Sequence, residues 1–226
     1  MAYKCILIDH DDTVAPTSEN QHYPSFKSSL EDINPNLKIT FDEYINYSFN
    51  PGFEIFLKEI LQLNEEKIKI MYENWKTDTS EKIGIFYEEI KNILLEFHNK
   101  GGIIAVVTHS DKIRIEKDYE YNLGFVPLDI YSWELGEEKR KPNPFPIYDM
   151  MKKYNLKNQE ILVIDDLKPG FIMAKKANVD FLWAGWAYNN PKFRKFMKEN
   201  SKFCIESLKE FEEFYKKNLK IKKAVD

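Results

Sequence analysis

The segment "DHDDT", residues 9–13, places three carboxylates close together in a chain that is otherwise unremarkable in charge. Asp9, Asp11 and Asp12 follow the apolar run "CILI", which has the composition of a buried strand. Asp9 therefore marks the point at which the strand leaves the core. Carboxylates at this spacing repel one another, and we expect a cation to offset their charge.

Further polar groups follow the other apolar runs. Thr108 and His109 come after "IIAVV", Asp165 and Asp166 after "ILVI", and the basic segment "KRK" lies in the loop after "LDIYS". Ligands of an open parallel sheet bind beyond the carboxyl ends of its strands. The sequence thus brings carboxylates, a hydroxyl and a lysine to one edge of a sheet.

The chemistry that needs this set is phosphoryl transfer through a covalent aspartyl phosphate. A carboxylate can attack phosphorus, but the two anions repel, so a hard divalent cation with oxygen ligands has to lie between them, and Mg²⁺ fits. A lysine and a hydroxyl then orient the phosphoryl oxygens, and a second acid protonates the departing alkoxide and later activates water.

Four motifs in order, "DHDDT", "VVTHS", "KPNP" and "VIDDLKPG", resemble those of the haloacid dehalogenase superfamily of hydrolases. The resemblance covers residues 1–15 and about 86–226, and it is specific because all four occur in the family's order. It implies a Rossmann-like core, with a helical cap inserted between the first two motifs, as in the phosphoglycolate phosphatase and β-phosphoglucomutase branch.

The resemblance also implies roles for the acids of the first motif and for the second motif. Asp9 would be the nucleophile and a metal ligand. Asp11 would be the general acid and base, with its backbone carbonyl on the metal. Thr108 would bind the phosphoryl group together with backbone N–H groups after it. We assign His109, through its side chain, to the same phosphate site, whereas we expect His10 to be structural.

In the last two motifs the resemblance implies that Lys141 balances the charge of nucleophile and phosphate. Lys139 and Arg140 compete for that role, but the spacing to Pro142 favours Lys141. Asp165 and Asp166 would complete the magnesium site. Their competing interpretation is the N-terminal cap of the helix that follows, where acids are favoured.

Strand and helix patterns alternate from residue 86 onward, which predicts an α/β fold: a parallel sheet with helices on both faces. Ser110 is expected to cap the helix after "IIAVV". Residues 16–85 differ, because "FDEYINYSF", "GFEIFLKEILQL" and "EEKIKIMYENWK" have helical periodicity and convincing strand runs are absent. We therefore predict a core domain of residues 1–15 and 86–226 and a helical cap domain of residues 16–85.

Two positions depart from the family pattern. Family members often have glycine where this chain has Asp12, and we expect this extra acid to face solvent. Gly170 stands where some relatives carry a further aspartate, and the adjacent acids of "VIDD" resemble the sugar-phosphate mutase branch and its phosphatase relatives. Near the fourth motif, "WAGWAYNN" is interpreted either as a stacking surface or as a core edge.

Bulk properties narrow the class of protein. The chain has 226 residues, 43% of them hydrophobic, and a formal net charge of -4, which disfavours nucleic acid as a partner. No apolar run approaches the roughly 18 residues of a membrane span, and we expect the mature chain to begin near Met1. Cys5 and Cys204 are expected to be reduced thiols in buried strands, so we predict a cytoplasmic protein. The lysine-rich end, "YKKNLKIKKAVD", is interpreted as a solvated helix face with a frayed tail.

These observations lead to one functional prediction with alternatives. We expect a magnesium-dependent phosphatase acting on a small phosphorylated metabolite, as a monomer or weak homodimer. A phosphomutase of the β-phosphoglucomutase type and a catalytically silent binding protein of the same fold remain open. A phosphorylated receiver domain uses similar groups, but its acid pair comes first in the chain, whereas here an acid pair comes last.

Overall fold

The computed structural model of this chain describes residues 3–219. The predicted start at Met1 and the last seven residues of the lysine-rich tail lie outside them. The described part of the chain divides into two compact units, one made of residues 3–15 and 85–219 and the other of residues 16–84. No helix within this part of the chain is long and apolar enough to cross a membrane.

The smaller unit is helical. Buried aromatic residues contribute to its interior, where the ring of Phe26 contacts those of Tyr44 and Phe56. Side-chain caps form at two helix starts: Thr40 forms a capping box with Glu43, and the Asn64 side chain accepts the backbone N–H of Lys67. The first helix was not predicted, although Phe26 lies four residues before Leu30 on its buried face. The helices are α1 (Tyr23–Ile33), α2 (Phe41–Tyr47), α3 (Phe53–Ile55) and α4 (Glu65–Thr79), with π-helical turns at Ser18–His22, Ser48–Gly52 and Phe56–Ile60.

The larger unit contains a six-stranded, wholly parallel sheet in the order β3-β2-β1-β4-β5-β6. All six predicted strand segments are confirmed. Every residue of its three central strands except Ile103 is buried, which explains why their sequences are nearly unbroken apolar runs. The strands are β1 (Cys5–Ile8), β2 (Ile103–Val107), β3 (Asp129–Tyr131), β4 (Ile161–Asp165), β5 (Asp180–Ala184) and β6 (Phe203–Ile205).

Helices cover both faces of this sheet, as predicted. One face packs on apolar side chains of three helices, which include Phe97, Tyr119 and Phe211. The other face is covered in part by buried residues such as Ile147 and Phe171. The helices of this unit are α5 (Glu88–Asn99), α6 (Lys112–Leu123), α7 (Phe145–Tyr154), α8 (Lys168–Ala177), α9 (Pro191–Asn200) and α10 (Leu208–Asn218), with 3₁₀ turns at Trp133–Leu135 and Asn158–Glu160.

The prediction that both cysteines lie in buried strands is half right. Cys5 is fully buried in the central strand, whereas Cys204 is only partly buried. The reason is that Cys204 belongs to β6, a three-residue strand at the sheet edge with only one strand neighbour. Both thiols are free.

Candidate active site

The strand order brings the first and last acidic motifs side by side. β1 pairs with β4 in parallel register, with Ile8 opposite Ile164. The backbone N–H of Asp9 donates to the carbonyl of Ile164 at 2.9 Å, which continues the ladder one residue beyond β1. Asp9 therefore lies next to Asp165, and both carboxyl groups emerge at the same edge of the sheet.

Lys141 joins these two carboxylates. Its Nζ donates to Asp9 Oδ1 at 2.6 Å and to Asp165 Oδ2 at 2.7 Å, and all three side chains are buried. Burial by itself would lower the pKa of Lys141, but the Coulomb attraction of Asp165 and Asp9 outweighs it and raises that pKa. The lysine is thus a fixed positive charge at neutral pH.

One lysine does not neutralise the acids around it. One carboxylate oxygen from each of Asp9, Asp165 and Asp166 lies within 4.8 Å of the other two, and all three residues are buried. Burial raises the pKa of Asp9 to about 7, because Lys141 offsets only part of the desolvation while Asp165 and Asp11 raise it further. Burial and then the charges of Asp9 and Asp165 likewise raise the pKa of Asp166 well above its ordinary value.

The donor set of this cluster fits a hard divalent cation. Asp166 Oδ1 accepts a hydrogen bond from Thr13 Oγ1 at 3.1 Å, but its buried Oδ2 has no hydrogen-bond partner among residues 3–219. A buried carboxylate oxygen without a partner is costly, and a cation would satisfy it. Three carboxylates from two strand ends are the oxygen ligands that Mg²⁺ prefers.

The loop after β4 is held rigidly. Asp165 Oδ1 accepts the N–H of Leu167 at 2.8 Å, and the indole N–H of Trp183 donates to the Asp166 carbonyl at 2.9 Å. Gly170 packs directly on the Asp165 side chain, so that a Cβ at this position would overlap the carboxyl group. This contact gives a physical reason for glycine in the fourth motif.

Asp11 has a different environment from Asp9. Its Oδ2 accepts from Ser110 Oγ at 2.5 Å and lies 3.5 Å from Thr108 Oγ1, and its Oδ1 accepts from Arg114 at 2.9 Å. The prediction that Ser110 caps α6 is wrong, because the N-cap residue is Asp111 and the Ser110 hydroxyl donates to Asp11 instead. Thr108 Oγ1 accepts the backbone N–H of Ser110 at 3.0 Å.

The two histidines of the motifs make separate contacts. His109 Nε2 is 2.8 Å from the carbonyl oxygen of Lys141; because a carbonyl only accepts, Nε2 carries the proton and donates. Burial, followed by the Lys141 charge, lowers the pKa of His109 to about 3, so its imidazole is neutral at physiological pH. His10 is fully buried, with its Nε2 at 2.9 Å from Asp118 Oδ2.

The expectation that Asp12 faces solvent is wrong. Asp12 is buried, and its carboxylate accepts a hydrogen bond from the Tyr188 hydroxyl. Its φ of 62° lies in the left-handed region, which glycine adopts readily and which aspartate also tolerates. The turn that it makes returns the chain from Asp11 to a bridge with Ala15.

The structure therefore gathers the predicted acids Asp9, Asp165 and Asp166 with Lys141, and puts Asp11 with Thr108 beside them. Sequence reasoning missed Arg114, which contacts Asp11, and Tyr188, which contacts Asp12, and it did not predict that the Ser110 hydroxyl donates to Asp11. The indole N–H of Trp186 donates to the Thr13 carbonyl, and Trp183 is buried, so "WAGWAYNN" is a core edge that supports the site loops. Arg114 lies in the first turn of α6, where no motif marks an arginine, so it carried no sequence signal.

A family profile and several curated proteins are similar to this chain in sequence. A family profile described as haloacid dehalogenase-like hydrolase matches residues 6–184. A phosphoglycolate phosphatase from Vibrio vulnificus (strain CMCP6) is 25% identical over 121 residues, which are 53% of this chain and 53% of that protein. The aligned regions thus span about half to three fifths of the curated relatives' own lengths.

Two solved structures show the same fold. CbbY from Rhodobacter sphaeroides, crystallised in complex with phosphate, superposes with a TM-score of 0.71 at 16% identity, covering 91% of this chain and 95% of that one. A haloacid dehalogenase-like family hydrolase from Streptococcus pneumoniae superposes with a TM-score of 0.73 at 14% identity, covering 94% and 98%.

Proposed function

Because this chain belongs to the haloacid dehalogenase-like hydrolase family, we propose that it is a phosphatase that hydrolyses a small phosphate monoester through an aspartyl phosphate on Asp9. The observation that carries the proposal is the contact of Lys141 with both Asp9 and Asp165 beside the unpartnered oxygen of Asp166. A purely structural cluster would not leave three buried carboxylates with one lysine.

The nucleophile is the carboxylate of Asp9. One of its oxygens forms a bond to phosphorus while the bond from phosphorus to the leaving alkoxide breaks. Lys141, fixed against Asp9 at 2.6 Å, offsets the negative charge that the approaching phosphate adds. Thr108, which directly follows β2 and lies beside Asp11, supplies a hydroxyl to the phosphoryl oxygens.

Asp11 handles the protons of both half-reactions. It gives a proton to the leaving alkoxide in the first, and takes one from the water whose oxygen bonds to phosphorus in the second. The bond between phosphorus and the Asp9 oxygen then breaks and releases phosphate. We assign His109 a supporting place, since its imidazole holds the backbone of Lys141.

Asp9, Asp165 and Asp166 would hold Mg²⁺, with the backbone carbonyl of Asp11 as a further ligand. Bound there, Mg²⁺ offsets the repulsion between the nucleophile and the phosphate. The names of the curated relatives make 2-phosphoglycolate the first substrate to test.

The proposal is tested by hydrolysis of p-nitrophenyl phosphate and 2-phosphoglycolate with and without Mg²⁺. We expect activity that requires Mg²⁺ and that Asp9→Asn abolishes, whereas Asp78→Asn, which changes an exposed carboxyl on α4, leaves it unchanged. Activity that ignores both the metal and Asp9→Asn would refute the proposal. A phosphoenzyme that turns over only into a second sugar phosphate would instead identify a mutase.

A further inference from the structure

A closed set of hydrogen bonds holds the carboxyl group of Asp11. Ser110 Oγ donates to Oδ2 at 2.5 Å and Arg114 NH1 donates to Oδ1 at 2.9 Å, so each oxygen has a side-chain donor. Arg114 NH1 also donates to Ser110 Oγ at 2.9 Å, which ties the two donors together. The Asp11 side chain is thereby confined to one orientation.

The arginine of this set is itself fixed. Its side chain is only 5% exposed, and one helical turn later Asp118, which is fully buried, lies 3.8 Å from NH2. Asp118 in turn accepts from His10, the residue between the two catalytic acids in sequence. A buried guanidinium is costly unless it is paired, so this arrangement holds Arg114 where it meets Asp11.

The Asp11 side chain is 20% exposed, and that of Arg114 is 5% exposed. An ion pair between two largely buried groups contributes little net stability, because the cost of removing both charges from water offsets their attraction. These contacts therefore contribute more to the orientation of the Asp11 carboxyl group than to the stability of the fold. Proton transfer requires its donor within hydrogen-bond reach of the reacting oxygen, so orientation matters for a residue in the role of Asp11.

We propose that Arg114 and Ser110 are positioning residues that orient the Asp11 carboxyl group toward the bridging oxygen of the substrate. This inference rests on the proposed function, in which Asp11 exchanges protons with the leaving alcohol and with water. Ser110 ends the second motif, whereas Arg114, in the first turn of α6, lies outside the four motifs that carry the family resemblance.

A positioning role predicts dependence on the leaving group. The alkoxide of 2-phosphoglycolate leaves only with a proton, whereas p-nitrophenolate is stable enough to leave without one. Loss of the Asp11 orientation should therefore slow phosphoryl transfer from the first compound much more than from the second. The value of kcat/KM reports this step, because it covers the reaction up to release of the alcohol.

The test compares kcat/KM for both compounds in Arg114→Met, Arg114→Lys and Ser110→Ala. We expect Arg114→Met to lower kcat/KM by about 100-fold for 2-phosphoglycolate and by less than about 10-fold for p-nitrophenyl phosphate. Arg114→Lys should recover part of the loss, since it keeps a cation near Asp11. Lys112→Met, which changes a half-exposed lysine on the same helix, is the matched control.

Equal losses for the two compounds, or no loss, would overturn the inference, because a structural role alone does not distinguish leaving groups. If Arg114→Met does not fold, as judged by its thermal transition, Arg114→Lys and Ser110→Ala carry the same comparison. Wild-type protein that hydrolyses neither compound would refute the proposed function, and the inference with it. If the wild type is active but the variants lose the same factor of kcat/KM with both compounds, only the inference about Arg114 and Ser110 is refuted.

Discussion

Without a divalent cation, the buried carboxylates should make this protein less stable as pH rises. Burial raises the pKa of Asp9 from its ordinary 3.8 to about 7. Between these values the folded chain binds a proton that the unfolded chain has released, so the free energy of unfolding falls as pH increases. Below about pH 4 both states are protonated, and above about pH 7 the full cost is present.

The size of the effect follows from the same two values. Each unit of difference between the folded and unfolded pKa corresponds to about 1.4 kcal/mol, so the raised pKa of Asp9 lowers the free energy of unfolding by roughly 4 kcal/mol at high pH. Between about pH 5 and about pH 8 the contribution of Asp9 changes by about 2.5 kcal/mol. Asp166, whose pKa is raised for the same reason, acts in the same direction.

Urea unfolding in the presence of a chelator, at about pH 5 and about pH 8, measures this difference directly. Asp9→Asn is the control, because an amide does not titrate, and subtracting its pH dependence isolates that of Asp9. Mg²⁺ should remove the loss at high pH, since it binds the ionised carboxylates. If the free energy of unfolding of the metal-free wild type changes between the two pH values no more than that of Asp9→Asn, burial does not raise the pKa of Asp9.

Three further substitutions test the site and the two units. Lys141→Met removes the cation between Asp9 and Asp165 and should cost the metal-free protein about 3–5 kcal/mol in urea unfolding, a loss that Mg²⁺ reduces; equal stability would contradict the ion pairs. Gly170→Ala should lower the free energy of unfolding by about 1–3 kcal/mol, because the added Cβ overlaps the Asp165 side chain. This loss is expected although alanine is the better helix former. An unchanged thermal transition together with an unchanged Mg²⁺ affinity by calorimetry would refute the contact. Phe56→Ala, at a fully buried position, should cost about 3–5 kcal/mol in the helical unit, which circular dichroism during urea unfolding would detect; a loss below about 1 kcal/mol would mean that this aromatic core is loosely packed.

Asp9 and Asp11, two residues apart, have different surroundings, which fit the different roles proposed for them. Asp9 is buried against a lysine and two further acids, which suits a nucleophile held beside a cation. Asp11 is partly exposed, and hydroxyl and guanidinium groups hold it from the side of α6. Two residues along the chain therefore separate a carboxylate buried beside a lysine and further acids from a carboxylate that is held by hydroxyl and guanidinium donors.

Much of this protein was predictable from sequence alone, and the reason is local. Buried strands such as "CILI" and "ILVI" are apolar because parallel sheets are covered on both faces, and the residues that end them are read directly from the chain. Since carboxyl ends of parallel strands share one edge, Asp9 and Asp166 could be assigned to one cluster without coordinates.

The tertiary structure decided what depends on strand order and on side chains from distant elements. Asp12 is buried because Tyr188, 176 residues later, donates to it, and no local pattern encodes that contact. Arg114 meets Asp11 because β2 lies beside β1, which puts the first turn of α6 next to the first motif. Local chemistry thus specified the reactive groups, whereas packing alone determined which neighbours orient them.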